Sequence, residues 1–395
     1  MRIIQGGITA PQGFLASGVH CGIKRKNKDL ALIYSEEPCE ACGVFTQNRV
    51  VGAPLKVTQA HLGNNKAQAV VINSGNANCC TGKQGVGDAQ GVCRSVAAKL
   101  GISLNDVLVA STGIIGERLP LLKIKNKIGL LVNKLSSRAG LAAAEAIMTT
   151  DTKPKQIAVE LNIGGTRVKI AGMAKGAGMI SPHLATMLGF ITTDAAISKP
   201  NLKKALKEAV DNSFNLITVE GDTSTNDMVL VLANGLAANK KLNLKDLKVF
   251  QAALSFVCLA LAKMIVKDAE GATKFVEVKV EAAGNIAQAK RVAFKVANSP
   301  LVKTAIFGEN PNWGRIAAAT GCADRDIEQN KLDIYLGALK VLQKGVKVKL
   351  NQNKLDKAFK KKEIQIKINL GLGRSAARVF TCDLSDKYLK INAEY

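Results

Sequence analysis

The sequence is short of histidine, of aromatic side chains and of negative charge, and each shortage removes a class of function. Only His20, His61 and His183 occur in 395 residues. Zinc sites draw on four convergent ligands, so Cys39 and Cys42 in "PCEACG" and the adjacent Cys79 and Cys80 read as small buried thiols. A serine-type triad also lacks its parts: no G-x-S-x-G occurs, and only His183 lies near a candidate nucleophile. Aromatics make up 4% of the chain, too few to supply the stacking platforms of a nucleic-acid binder. Long apolar runs are missing too. The longest, "ALSFVCLALAKMIV" (253–266), is too short for a bilayer and carries Lys263. The N-terminal "MRIIQGGITAPQGFLASGVH" has no basic region followed by an apolar run. A cytoplasmic protein with no membrane partner is the expectation, and nine cysteines, an odd number, argue against a disulfide framework.

Positive charge is abundant: 55 Lys and Arg against 31 Asp and Glu give a formal +24. Its densest part, ten lysines from Lys340 to Lys367 against Asp356 and Glu363, lies around short strand-like pieces and reads as a solvated face. No nucleic-acid partner is expected. A field of this sign attracts small anionic substrates.

Short β-branched runs bounded by turn residues alternate with helical patterns. "DLALIYS" (29–35), "AQAVVINSG" (67–75), "DVLVAST" (106–112), "MLGFITT" (187–193) and "MVLVLANG" (228–235) predict strands. The spacing of apolar residues predicts helices over 87–101, 137–148 and 244–266, and another after Ser198 as cap with Pro200 early in the helix. The tail adds strands at "TKFVEVKVEA", "KLDIYLG", "EIQIKINL" and "ARVFTCDL". This is mixed α/β without a regular βαβ rhythm. "GLGRSA" (371–376) is followed by a strand and not a helix, so it fails as a dinucleotide turn.

Three polar clusters interrupt the strand pattern: "INSGNANCCTGKQG" (72–85), "ASTGIIGERLP" (110–120) and "TVEGDTSTND" (218–227). Each alone reads as turns. Together they supply hydroxyls, amides and backbone N–H groups, the materials of an acyl-transfer site. "GAGMISPHLATMLGFITTDA" (176–195) adds Thr186 between a turn and a strand. If the Ala185–Thr186 bond were cut, the free α-amino group, with an ordinary pKa of about 8, could serve as base for the hydroxyl of the same residue. Thr186 Oγ could begin that cut by attacking the Ala185 carbonyl, giving an ester that water resolves.

The segment "AKGAGMISPHLATMLGFITTDA" resembles the self-cleavage segment of the ornithine acetyltransferase (glutamate N-acetyltransferase) family of arginine biosynthesis. The likeness includes "GGITAPQGFLASGVHCGIK", "INSGNANCCTG", "STGIIGERLP", "IMTTDTKPK", "FNLITVEGDTSTND", "DAEGATKF", "FGENPNWGRIAAATG" and the closing "INAEY". The resemblance implies a layered α/β sandwich of N-terminal-nucleophile type. It implies cleavage between Ala185 and Thr186 into an α chain, 1–185, and a β chain, 186–395, which stay associated as α2β2. Acetyl would pass from N2-acetylornithine to L-glutamate through Thr186. Thr112 and Gly113 match the oxyanion hole, where one donor is typically worth about 3 kcal/mol. Thr152, Lys175, Thr186, Glu270 and Asn392 match substrate-binding positions; Lys175 suits a substrate carboxylate and Glu270 an amino group. No cofactor or metal is implied, and some relatives also take acetyl-CoA as donor. His183 and Leu184 stand where Asn-Met is usual before the cleavage Ala. The alternative is an N-terminal-nucleophile amidase or aminopeptidase of related fold, which would send the acyl group to water.

Overall fold

The structure, a computed structural model, describes residues 1–64, 66–181 and 187–394. The chain forms two compact units: Met1–Asn215 with Asp222–Ile265, and Leu216–Gly221 with Val266–Tyr395.

Among the described residues, the first unit holds nine strands: β1 (Arg2–Ile4), β2 (Phe14–Val19), β3 (Leu30–Phe45), β4 (Lys66–Asn76), β5 (Val107–Ile114), β6 (Lys155–Ile163), β7 (Thr166–Lys175), β8 (Leu188–Thr193) and β9 (Met228–Ala233). They make one sheet in the order β1-β6-β7-β8-β9-β3-β4-β5, with β2 against the first half of β3. The predicted apolar runs become strands buried on both faces, which fits β4 and β5 as near-continuous hydrophobic stretches. Alternate residues serve opposite faces. Ile33, Val70, Ile72, Leu108 and Ala110 pack on one side with Leu55 and Ala143. Leu32, Ala69, Val71, Val107 and Val109 pack on the other with Val92, Cys93 and Val96 of the helix Gly82–Leu100 and with Ile124 and Ile128 of the helix Leu121–Asn133. The expected α/β class with helices layered on the sheet is what this sequence pattern builds.

Two pairs in this sheet are parallel, β4 with β5 and β8 with β9. Each needs a crossover, and the helices Gly82–Leu100 and Lys199–Asp211 supply them. Ser198 takes the N-cap position of the second with Pro in the first turn, as the sequence predicts, but its side chain makes no cap hydrogen bond.

The helix predicted over 244–266 runs Leu244–Lys267. At 24 residues it is longer than its apolar core suggested, and by length and composition it could cross a membrane. Its buried stripe argues for a core helix. Phe250, Leu254, Val257, Leu261 and Ile265 are fully buried at helical spacing, and Leu261 Cδ1 lies 2.9 Å from where a Cβ on Gly172 of β7 would stand.

The second unit holds a sheet of β10 (Phe275–Ala283), β11 (Asp333–Leu336), β12 (Leu339–Gln343), β13 (Val346–Lys347), β14 (Glu363–Asn369) and β15 (Ser375–Cys382), in the order β13-β12-β11-β14-β10-β15 among the described residues. Here alternation is one-sided. Ile364, Ile366 and Ile368 are buried while Glu363 and Gln365 face water. Lys344, Lys347, Lys349, Lys354, Lys357 and Lys360–Lys362 are exposed, and Lys340 and Lys367 lie over the Tyr335 ring. The solvated basic face is real. Cys39 and Cys42 lie in β3, both buried, with thiols pushed up to about 12 by burial, and Cys79 is buried too, but Cys80, at a backbone bend with φ +60°, is exposed against the expectation.

Candidate active site

The parallel pair β4–β5 sets the site. Both strands end in the polar clusters, and the last pairs before the register shifts at Asn76 are Ser74 with Thr112 and Gly75 with Gly113. The two glycines let the backbones touch. Gly113 has φ +132°, and a Cβ there would lie 2.3 Å from the Gly75 carbonyl carbon and 2.5 Å from the Asn76 nitrogen. No other residue fits that approach.

The polar side chains around this end mostly hold backbone. Asn226 Nδ2 donates to the carbonyls of Ala77 (2.6 Å) and Ser111 (2.9 Å), tying the three clusters together. Ser111 Oγ donates to Asn73 Oδ1 at 2.5 Å, and Asn73 Nδ2 to the Asn76 carbonyl at 2.8 Å. Asn226 fixes the peptide that carries the Thr112 N–H by binding that peptide's carbonyl. This stabilises one backbone orientation in advance of any reaction.

Lys175, the last residue of β7, is 2% exposed and donates from Nζ to Thr112 Oγ1 at 3.3 Å. Its register partner across the sheet is Leu188. Met187, the first described residue after 181, donates its N–H to Asp227 Oδ1 at 2.9 Å. Asp227 is 1% exposed. Its carboxylate therefore binds the peptide group that joins Met187 to residue 186. Asp227 closes the cluster "TVEGDTSTND", where its sequence neighbours give it no signature. Its role depends on a partner 40 positions away, which no local pattern reveals.

Asp151, in "IMTTDTKPK", is a second residue that no local pattern marks. It is buried, and its Oδ1 accepts from Lys155 Nζ (2.6 Å) and from the Gly176 amide (2.7 Å). Burial pushes its carboxyl up, but the Lys175 and Lys155 ammoniums and the Gly176 amide outweigh burial and hold it at about 2. A depressed carboxyl contributes stability that is complete above its unfolded value of 3.8 and is lost as pH falls through about 2. Asp151→Ala should cost about 3–5 kcal/mol near neutral pH, because it leaves buried lysines uncompensated. The gap to the parent protein should then narrow by about 2 kcal/mol between pH 4 and pH 2. Urea unfolding of both proteins across that range checks this; a gap that does not change with pH would refute the assignment.

A model of the ArgJ family matches residues 15–395. The chain belongs to that family. It is 50% identical over 395 residues to the arginine biosynthesis bifunctional protein ArgJ of Dehalococcoides mccartyi (strain CBDB1), covering 99% of this chain and 97% of that one. It is 47% identical over 400 residues to the ArgJ of Symbiobacterium thermophilum, with 100% of both chains covered. A solved structure, ornithine acetyltransferase complexed with ornithine from Mycobacterium tuberculosis, is 43% identical, covers 46% of this chain and 97% of its own, and has a TM-score of 0.44. The protein is thus an enzyme of the ArgJ family, an acetyltransferase of arginine biosynthesis.

Of the positions expected from sequence, Thr112, Gly113 and Lys175 come together in the first unit. Thr152 is exposed and follows Asp151 directly in the chain. Glu270 and Asn392 meet in the second unit, where Asn392 Nδ2 donates to Glu270 Oε2 at 2.9 Å. That pair is braced by Ser385, whose Oγ donates to the Gly271 carbonyl at 2.7 Å and caps the helix Asp386–Ala393. Ala185 and Thr186 lie outside the described residues. Among the described residues, no three His, Cys, Asp or Glu side chains cluster to hold a metal ion.

Proposed function

We propose that this enzyme cuts itself between Ala185 and Thr186 and then carries acetyl from N2-acetylornithine to L-glutamate by a ping-pong route. In the cut, Thr186 Oγ attacks the Ala185 carbonyl and the peptide C–N bond breaks. Water then resolves the ester, leaving an Ala185 carboxylate and a free Thr186 amine. In turnover, that amine takes the hydroxyl proton as Thr186 Oγ attacks the acetyl carbonyl. The proton passes to the leaving amine of ornithine. The α-amine of glutamate attacks the acetyl ester in the second half, giving N-acetylglutamate and restoring the hydroxyl.

One observation carries this reading: Lys175 Nζ reaches Thr112 Oγ1, and Lys175 itself pairs in register with Leu188, two residues beyond Thr186. The matched oxyanion residues and a matched substrate residue thus meet at one corner of one sheet, where Lys175 pairs with the first residue of β8. The same sheet supports association of the products. The cut would separate β7 from β8, yet β8 pairs with β7 over six residues and β9 pairs with β3 over six more. The α chain, 1–185, and the β chain, 186–395, would share that sheet, and we read the assembly as α2β2 in the cytoplasm. Glu270, with Asn392 donating to it, suits an ammonium group of the donor. Nucleophile and base both come from residue 186, so the reading requires no resident cofactor, and acetyl-CoA enters only as a second acetyl donor.

Incubation with N2-acetylornithine and glutamate should release ornithine and N-acetylglutamate in equal amounts. Without glutamate, a stoichiometric acetyl adduct should form on the smaller-numbered end of the 186–395 fragment, read by intact mass. Release of acetate in place of N-acetylglutamate would instead support the amidase reading.

A further inference from the structure

Lys24 has no part in the chemistry above, yet the fold fixes it beside the oxyanion residues. The backbone amides of Cys21, Gly22, Ile23 and Lys24 all donate to the carboxylate of Asp29, at 2.5, 3.1, 2.7 and 2.9 Å. Asp29 is completely buried. A loop pinned by four amides on one carboxylate holds its side chains in a set direction. The stem of Lys24 lies on Gly75: a Cβ there would come 3.0 Å from Lys24 Cγ. Gly75 is the residue that abuts Gly113. The Lys24 ammonium then donates to the Met148 carbonyl at 2.9 Å, on the segment that carries Asp151 and Thr152.

Lys24, Lys155 and Lys175 face Asp29 and Asp151. Asp151 is paired with Lys155 and Asp29 is occupied by backbone amides. Lys24 is half-buried, and burial lowers its pKa, as does Lys175, against the pull of Asp29 and Asp151. An ammonium has three donors, and the Met148 carbonyl takes one. The remaining donors of a partly desolvated cation beside a second cation favour an anion between or beside them.

We infer that Lys24 is the residue that selects an acceptor bearing a second carboxylate. This rests on the acetyl-transfer reading proposed above. Glutamate must attack through a neutral amine, so it reacts as a species with two carboxylates. Lys175 takes one and Lys24 the other. An amide-ended analogue such as glutamine offers Lys24 only a neutral group, and loses that charge-assisted contact.

The test compares glutamate with glutamine as acceptors for the processed full-length protein, with N2-acetylornithine as donor. In Lys24→Met the ratio of kcat/KM for glutamate over glutamine should fall at least about tenfold, chiefly through KM for glutamate, as expected for loss of one partly buried ion pair. Lys24→Arg, which keeps the charge, should hold the ratio within about threefold of the parent. A parent-like ratio in processed Lys24→Met overturns the inference. Should that variant fail to fold, inhibition of the parent enzyme decides the point. Glutarate should compete with glutamate at least about tenfold more strongly than butyrate, and equal inhibition overturns the role of a second cation. If the parent protein makes no N-acetylglutamate while releasing acetate, the acetyl-transfer reading itself has failed.

Discussion

Thr186→Ala should yield one chain of full length that transfers no acetyl. On the proposed mechanism the substitution removes the one hydroxyl that would both begin the cut and carry the acetyl group. It also leaves residue 186 without a free amine, so nucleophile and base are lost together. Activity should fall by at least about 10⁴, the scale seen when a nucleophile is removed and only binding and oxyanion contacts remain. The variant should fold. The sheet around the cut is held from Leu188 onward by β7 and β9, and the Met187 amide by Asp227, none of which needs the hydroxyl. Intact mass under denaturing conditions reads the first half of the prediction and an ornithine-release assay the second. Thr186→Ser, which keeps a hydroxyl, should restore cleavage. Two fragments and normal turnover from Thr186→Ala would remove Thr186 from the mechanism.

Most of the fold is legible because burial writes itself into residue type. β4, β5, β8 and β9 coincide with the predicted apolar runs to within two residues at either end. β3 is the instructive exception. "DLALIYS" accounts for its first part only, because the apolar run stops at the charged pair Glu36–Glu37 and Pro38 cannot donate to a strand ladder. In the structure the strand continues to Phe45 with a register shift between Tyr34 and Cys39. Its first half pairs with β2 and its second with β9. Partners far away in sequence decide that, and local propensity yields to them. The helix Gly82–Leu100 likewise starts earlier than its periodicity predicts, since "GKQGVG" is poor in helix formers.

The candidate site is legible in a different way. Thr112, Gly113, Lys175, Glu270 and Asn392 were found through resemblance, which names positions without explaining them. The explanations are long-range. Gly113 is glycine because Gly75 stands in the place of its Cβ. Asp151, Asn226, Asp227 and Lys24 escaped notice because an isolated Asp, Asn or Lys in a polar turn has no signature of its own. Each becomes visible only through its partners: a pair of lysines for Asp151, two carbonyls for Asn226, one amide for Asp227 and the Met148 carbonyl for Lys24.

Thr112→Ala should then separate chemistry from binding. Thr112 is 5% exposed, sits at the end of β5, and its Oγ1 accepts from Lys175. If its hydroxyl stabilises the negative charge that develops on the acetyl oxygen, the loss falls on the transition state and not on the bound substrate. The expected drop in kcat is about 10²–10³, the cost of one oxyanion donor, with KM for N2-acetylornithine changed much less. Lys175 blurs this only modestly, because an ammonium that loses one neutral acceptor still has a carboxylate, Asp151, acting on it. Thr112→Ser should recover most of the rate, since the hydroxyl is the part that matters. Self-cleavage should slow as well, because attack on the Ala185 carbonyl also builds an oxyanion. A time course of fragment appearance after synthesis measures that directly. A variant with raised KM, parent-like kcat and prompt cleavage would make Thr112 a binding residue and place the oxyanion contacts on backbone alone.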